Sequence, residues 1–369
     1  MSVQTRATEG AYAVEYILAG EQVSRLFVKD LRMRVGGAVL RSGGIADVET
    51  KEHCRRRGYM RQVLERAAAL MRQEGYDISA LFGISDFYPR WGYASVFPET
   101  RLIIATKDAG RAQPAYPLRR LGRDELAATL ELYRRNNALR TGTVVRRRDR
   151  WAGFRHGSRY RWPTNVYGAF DARRRLMGYA VLDRSPAEAI VCEVGYRSEE
   201  VFGSLLAIAA RQARRVHAEQ IQVLAPADHP FVEFCQQLGC RLMLQYNRNG
   251  GAMARIINLQ TCFTRLAPEL TRRLRSSRFD WRGRLAIKSD IGEVTLRIEK
   301  SAVNCEEGGG AADARLEVGQ ALLTQLIFGY RRAAEALRVG GALLRGVPVE
   351  VIEALFPRGY AYMWRPDHF

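Results

Sequence analysis

The sequence predicts an α/β fold over its first two-thirds and an α+β module over its last hundred residues. Three features carry this. Residues 43–82 run strand, basic glycine-containing turn, helix, strand. Residues 118–262 repeat that theme more faintly. Residues 284–299 read as a hairpin, with one more strand and two helical segments after it.

The elements follow in order. Residues 12–17 and 23–35 alternate as extended segments around Gly20-Glu21, and residues 43–50 form another. Then comes Lys51-Glu52-His53-Cys54-Arg55-Arg56-Arg57-Gly58. After it, Tyr59, Val63, Leu64, Ala67, Leu70 and Met71 recur near the helical period, and Gly75 suits a helix C-cap. Residues 78–82 read as a buried strand, and Phe87-Tyr88-Pro89-Arg90-Trp91-Gly92-Tyr93 as a short helix and turn. Further on, residues 176–182 and 189–194 form a strand pair, 199–215 a helix and 220–224 a strand. Residues 231–240 close that unit. In the last module, residues 284–288 and 293–299 flank the hairpin signal Ser289-Asp290-Ile291-Gly292. Residues 305–312 read as a glycine-rich loop, 314–318 as a strand, and 320–328 and 333–337 as helical segments around Gly329-Tyr330.

The chain has 369 residues, 47% apolar, 26% charged and 9% aromatic. This composition excludes a disordered, collagenous or coiled-coil protein, and the length suits two or three domains. No long apolar run is free of charge, so no membrane span is expected. The start, MSVQTRATEG, lacks the apolar core of an export signal, so a cytoplasmic protein with reduced thiols is expected. Cys54, Cys192, Cys235, Cys240, Cys262 and Cys305 form no C-x-x-C pair and no zinc-spaced set with histidine, so no metal is expected. The net charge of +19 comes from 58 basic and 39 acidic side chains. Nearly all the basic residues are arginines, which suit phosphate recognition but equally a solvated surface. The run Arg146, Arg147, Arg148 and Arg150 reads as a solvated loop. Net charge alone speaks to solubility, and no nucleic-acid partner is expected.

The sharpest chemical signal is Arg55-x-x-Gly58 opening a helix directly after a strand. Backbone N–H groups at a helix start, with the helix dipole behind them, form an anion site. Glycine allows close approach, and Arg55, Arg56 and Arg57 add charge where a pyrophosphate could sit.

Strand, R-R-R-G, helix, strand and then F-Y-P-R-W-G-Y resembles the fold of the GNAT acetyltransferases. The stretch from Gly44 through Thr106 looks closer still to the enhanced intracellular survival (Eis) branch, in which tandem GNAT domains precede a sterol-carrier-protein-like domain. The end of the chain, Leu322 to Tyr330 and Trp364 to Phe369, resembles the end of that architecture. The resemblance implies tandem GNAT domains followed by a sterol-carrier-protein-like α+β domain, at residues 1–115, 116–262 and 263–369. It implies acetyl-CoA as co-substrate, an amine acceptor of small-molecule or protein type, and a homo-oligomer. Val48 and Thr50 would lie on the strand that pairs with pantetheine. Arg55, Arg56, Arg57, Gly58, Tyr59 and Met60 would form the pyrophosphate loop. Tyr88 would be the acid that protonates the departing thiolate, and the carboxylate of Phe369 the base. A catalytically weak acyl-CoA- or lipid-binding protein on the same fold is the alternative, because only about eleven residues precede the first readable strand. Departures from the family pattern fall at Thr50, Glu52, Met60 and Gly83, the last standing where serine is usual.

The second copy has Cys235 at the tyrosine position, and its helix starts at Arg197-Ser198-Glu199-Glu200. Two acids there repel a pyrophosphate, so this copy reads as structural. In the last module Leu322, Leu323, Leu326, Ile327 and Phe328 read as core rather than as a lipid tunnel. Trp364 and Phe369 carry enough apolar surface to dock the tail, either into the first domain or over the core of the last module.

Overall fold

The structure, a computed structural model, describes residues 2–151, 153–300, 302–307 and 311–369. It has two compact units. One comprises residues 1–97, 247–359 and 369, the other residues 98–246 and 360–368. These limits do not coincide with boundaries at 115 and 262. The reason is strand pairing: Glu99–Ala105 hydrogen-bonds in the sheet of the second unit, and Gly251–Ile256 in the first sheet of the first unit.

The first unit opens with β1 (Ser2–Thr8), β2 (Ala11–Leu18), β3 (Glu21–Val35) and β4 (Ala38–Thr50), an antiparallel meander. β1 precedes the first strand that the sequence made readable. It is an edge strand with little burial, so it carries no strong apolar alternation. Ala19 and Gly20, both at positive φ, turn β2 into β3. α1 (Tyr59–Gln73) and β5 (Ile78–Gly83) follow as expected, and Gly251–Ile256 and Ala94–Ser95 complete a seven-stranded sheet. α1 buries Val63, Leu64, Ala67 and Met71 in one core with Val14, Leu26 and Val28. Its close approach explains Gly43, where an added Cβ would collide with the Met71 sulfur.

The same unit holds a five-stranded sheet ordered Ala302–Glu307, Gly292–Glu299, Gly283–Ser289, Ala314–Val318, Ala342–Arg345. The expected loop at 305–312 is therefore strand up to Glu307, and residues 308–310 lie outside the described residues. Leu323, Leu326, Ile327 and Phe328 are buried, as the core reading requires, and the Phe328 ring meets Phe97 edge-on at 5.5 Å.

The second unit is also a seven-stranded sheet, with its main helix at Phe202–Arg215. Trp364 is buried in this unit rather than over the last module, and its indole N–H donates to Asn137 Oδ1 at 2.9 Å. Arg146 is likewise not solvated. Its side chain is 1% exposed, pairs with Glu193 and with Asp367 at 2.7 Å, and lies 3.7 Å above the Tyr133 ring. A buried guanidinium is sustained only by such paired carboxylates. Arg147, Arg148 and Arg150 are exposed, as read from the sequence. Among the described residues no helix is long and apolar enough to cross a membrane.

Candidate active site

The site begins with strand geometry. β4 and β5 pair in parallel from Ser42 opposite Ile78 to Ile45 opposite Leu81. Beyond Ile45, the partners of β4 lie on β3, which faces Ala46, Glu49 and Thr50. A register shift opposite Arg25 and Phe27, with Asp47 at φ 48°, marks a bulge. β4 therefore has a strand on one side only over residues 46–50, and an extended amide-bearing chain can add along such an edge.

The turn after β4 supplies the charge. A short 3₁₀ turn, Glu52–Cys54, leads into Arg55, whose Nε–H donates to the Thr50 carbonyl at 3.3 Å. Arg56 and Gly58 both adopt the left-handed conformation, at φ 62° and 81°. Gly58 caps α1 with no side chain of its own, and the Gln62 amide closes the first turn onto the Gly58 carbonyl at 3.3 Å. The amides just before Gln62 have no acceptor within the helix. The sequence folds this way because a β4 bulge and a left-handed glycine together swing the chain from strand to helix over few residues.

One cavity of about 880 Å³ gathers these parts. Its lining includes Val48, Thr50, Arg55, Arg56, Gly58, Tyr59 and Met60, together with Tyr88 and Phe369. Of the expected residues, Arg57 does not line it; its side chain is exposed outside. Residues that the sequence reading had not assigned to the site also face it, among them Phe82, Ile84, Phe87, Arg90 and Trp91. The F-Y-P-R-W-G-Y motif already held three of these five; Phe82 and Ile84 needed the parting of β4 from β5 to be seen.

Tyr88 sits on the 3₁₀ turn Tyr88–Trp91, is 7% exposed, and has its phenol held above the usual tyrosine range by burial. Its ring explains Gly83, because a Cβ there would lie 2.5 Å from Tyr88 Cδ2. Serine at that position would displace the tyrosine. Behind it, the buried Tyr93 hydroxyl meets Ser79 Oγ at 2.7 Å. The Phe369 ring packs edge-on against Phe82, with centroids 5.6 Å apart, and lies over Gly44.

Among its described residues the second unit lacks these features at the matching positions. Tyr116 N–H donates to Ser204 Oγ, and Ser204 Oγ–H to the Tyr116 carbonyl, so the first turn of Phe202–Arg215 is sealed by its own chain. A Cβ at Gly203 would strike the Gln113 carbonyl oxygen. Cys235 is fully buried, and burial first, then Cys240, pushes its thiol up to about 12. Such a thiol stays protonated and is a poor nucleophile.

Comparison with known proteins agrees with this geometry. Residues 7–96 match the family of acetyltransferase (GNAT) domains. No curated protein matches the chain in sequence. Among solved structures, a probable N-acyltransferase of unknown function from Enterococcus faecalis V583 aligns with a TM-score of 0.79 at 16% identity, over 98% of this chain and 90% of that one. A GCN5-related N-acetyltransferase from Kribbella flavida aligns with a TM-score of 0.73 at 19% identity, over 97% and 87%. Eis1 from Mycobacterium abscessus aligns with a TM-score of 0.66 at 16% identity, over 97% and 91%. These likenesses share the fold along nearly the whole chain. Residues 7–96 thus match the acetyltransferase (GNAT) domain family at the cavity-bearing strands and helix, within an α/β chain that shares its fold with these structures.

Proposed function

We propose that the protein transfers an acetyl group from acetyl-CoA to an amine acceptor by direct attack in a ternary complex. The observation that carries this is the one-sided β4 edge at residues 46–50, set beside the left-handed Arg56–Gly58 turn that opens α1, in a single cavity with Tyr88. Val48 and Thr50 present the edge along which pantetheine adds. Arg55, Arg56 and the amides at Gly58, Tyr59 and Met60 hold the pyrophosphate, and Arg57 contributes only long-range charge.

The chemistry balances on this chain's own groups. The unprotonated amine nitrogen attacks the thioester carbonyl, and the new C–N bond forms as the C–S bond breaks. Tyr88 gives its phenolic proton to the departing thiolate, and the proton lost from nitrogen passes to the carboxylate of Phe369. Burial keeps Tyr88 protonated at neutral pH, and it also disfavours a bare thiolate in the same apolar cavity, so the transfer is better matched than aqueous pKa values suggest. We further propose that residues 98–246 are a structural second GNAT copy. The five-stranded sheet near the end belongs, on the same proposal, to a sterol-carrier-protein-like module.

The test is thiol release by the purified protein with acetyl-CoA and amines, alongside calorimetric CoA binding. Amine-dependent release supports transfer. Binding without release supports a non-catalytic acyl-CoA carrier.

A further inference from the structure

The lining of the same cavity narrows the acceptor, on the assumption that acetyl transfer is the reaction. The donor takes β4 residues 46–50 and residues 54–61. The wall left for the acceptor is Phe82 and Ile84 at the end of β5, Phe87, Arg90 and Trp91 on the turn after it, and Phe369, with Tyr88 at its base. This wall is aromatic and interlocked. The Phe87 ring centroid lies 4.9 Å from those of Tyr88 and Trp91, and Phe82 meets Phe369. Phe82 and Ile84 are 37% and 69% exposed, apolar surface that a ligand body would cover.

The charges on the cavity point the same way. Among the described residues that line it, the acidic side chains are Asp47 and Glu49, both on the donor strand, and Glu49 is paired with Arg25 at 2.9 Å. The acceptor wall has no acidic side chain; its charged side chain is the exposed Arg90, and its one anionic group is the Phe369 carboxylate proposed as the base. A polycation would bring several ammonium groups against apolar rings and a guanidinium, losing hydration with at most one carboxylate, that of Phe369, to pair them. A single amine on an aromatic body loses least. Its ring packs edge-to-face in the box, and its one nitrogen passes over aromatic faces toward the thioester. We infer that the acceptor is a monoamine with an aromatic or otherwise apolar body, and not a polyamine or an aminoglycoside.

The experiment measures thiol release by the full chain at saturating acetyl-CoA with 2-phenylethylamine, spermidine and kanamycin in separate series. The expected kcat/KM for 2-phenylethylamine is at least about tenfold above that for either polycation, the discrimination expected when an apolar pocket fits one body and excludes charge. Arg90→Glu changes an exposed side chain, and its folding is checked by its melting temperature. It should raise kcat/KM for spermidine roughly three- to fivefold, the effect of reversing one exposed charge. Spermidine or kanamycin equalling 2-phenylethylamine overturns the acceptor class and leaves acetyl transfer standing. A folded Arg90→Glu protein with unchanged spermidine turnover overturns the assignment of this wall. Release with none of the three amines overturns acetyl transfer itself.

Discussion

Gly44 is predicted to set the position of Phe369. It lies in the middle of β4, opposite Lys29 on β3 and Ala80 on β5, and its φ is not in the left-handed region, so no backbone demand calls for glycine. Packing does. A Cβ there would stand 2.8 Å from Leu31 Cδ1, 2.8 Å from Phe369 Cε2 and 2.9 Å from Phe369 Cζ, where ordinary contact begins at 3.4 Å. Gly44→Ala must therefore push both groups back by about 0.6 Å. The Phe369 ring takes part of the displacement, and with it the carboxylate proposed as the base. A shift of about 1 Å in a reacting group can cost roughly a hundredfold in rate, so kcat should fall about ten- to a hundredfold. Acetyl-CoA affinity should stay within about twofold, because Gly44 lies outside the donor edge. Stability should fall by about 1–3 kcal/mol from overpacking. The assay is steady-state thiol release with separate kcat and KM, beside calorimetric CoA binding and a melting curve. In a Phe369→Ala background the ring is gone, so Gly44→Ala should cost little further in kcat, a clear failure of additivity, while the Leu31 contact still lowers stability. Wild-type kcat in folded Gly44→Ala, or full additivity of the two changes, would refute the reasoning.

Four further outcomes are expected. Gly58→Asp puts a carboxylate and a strained left-handed non-glycine at the mouth of the anion site, and calorimetry should show CoA affinity reduced at least about tenfold; unchanged affinity would remove the site. Tyr88→Phe should lower kcat by about a hundredfold with little change in KM for acetyl-CoA, and the wild-type rate should climb with pH as the acceptor amine loses its proton. Because burial raises the Tyr88 phenol above its ordinary value of 10.0, no falling limb should appear below about pH 9, and one would exclude Tyr88 as the acid. Cys235→Ala should keep turnover within about twofold, since its thiol is buried and protonated; a loss beyond about tenfold in a folded protein would mean that the second unit is active. His229 is held neutral by burial, its pKa lowered from 6.5 to about 3, while its Nδ1 accepts the Phe231 amide at 3.2 Å. The unfolded chain therefore binds the extra proton below pH 6.5, so this contribution to stability is present above that pH and is lost on acidification, by up to about 1.4 kcal/mol per pH unit. Urea midpoints between about pH 7 and 4 should fall less steeply for His229→Asn, which keeps a cap acceptor; equal slopes would show that other groups drive the acid transition.

Local patterns in the sequence were sufficient for the strand, turn and helix that line one side of the cavity. The helical spacing from Tyr59 to Met71 reports α1, because its one apolar face meets one core. The R-R-R-G turn reports the start of α1, because a helix start after a strand is defined within a few residues. Gly83 and Tyr88 were both visible as letters, but the reason for the glycine, a ring 2.5 Å from where a Cβ would stand, exists only in space. β1 was missed because an exposed edge strand needs no apolar alternation. Arg146 was misread because a buried guanidinium looks like any other arginine until Glu193 and Asp367 close on it from 47 and 221 residues away.

Composition, periodicity and the basic turn thus determined by themselves that this is an α/β chain with a basic, glycine-capped helix start after a strand, since each of those signals is local. Tertiary structure decided the rest. It placed Glu99–Ala105 and Gly251–Ile256 in sheets other than those their order in the chain suggests, it parted β4 from β5 after Ile45, and it set the Phe369 ring over Gly44 on a wall with Phe82. Strand pairing and ring packing join residues far apart in the chain, and their energy depends on shape and on which groups lose water together. No window of neighbouring residues encodes either.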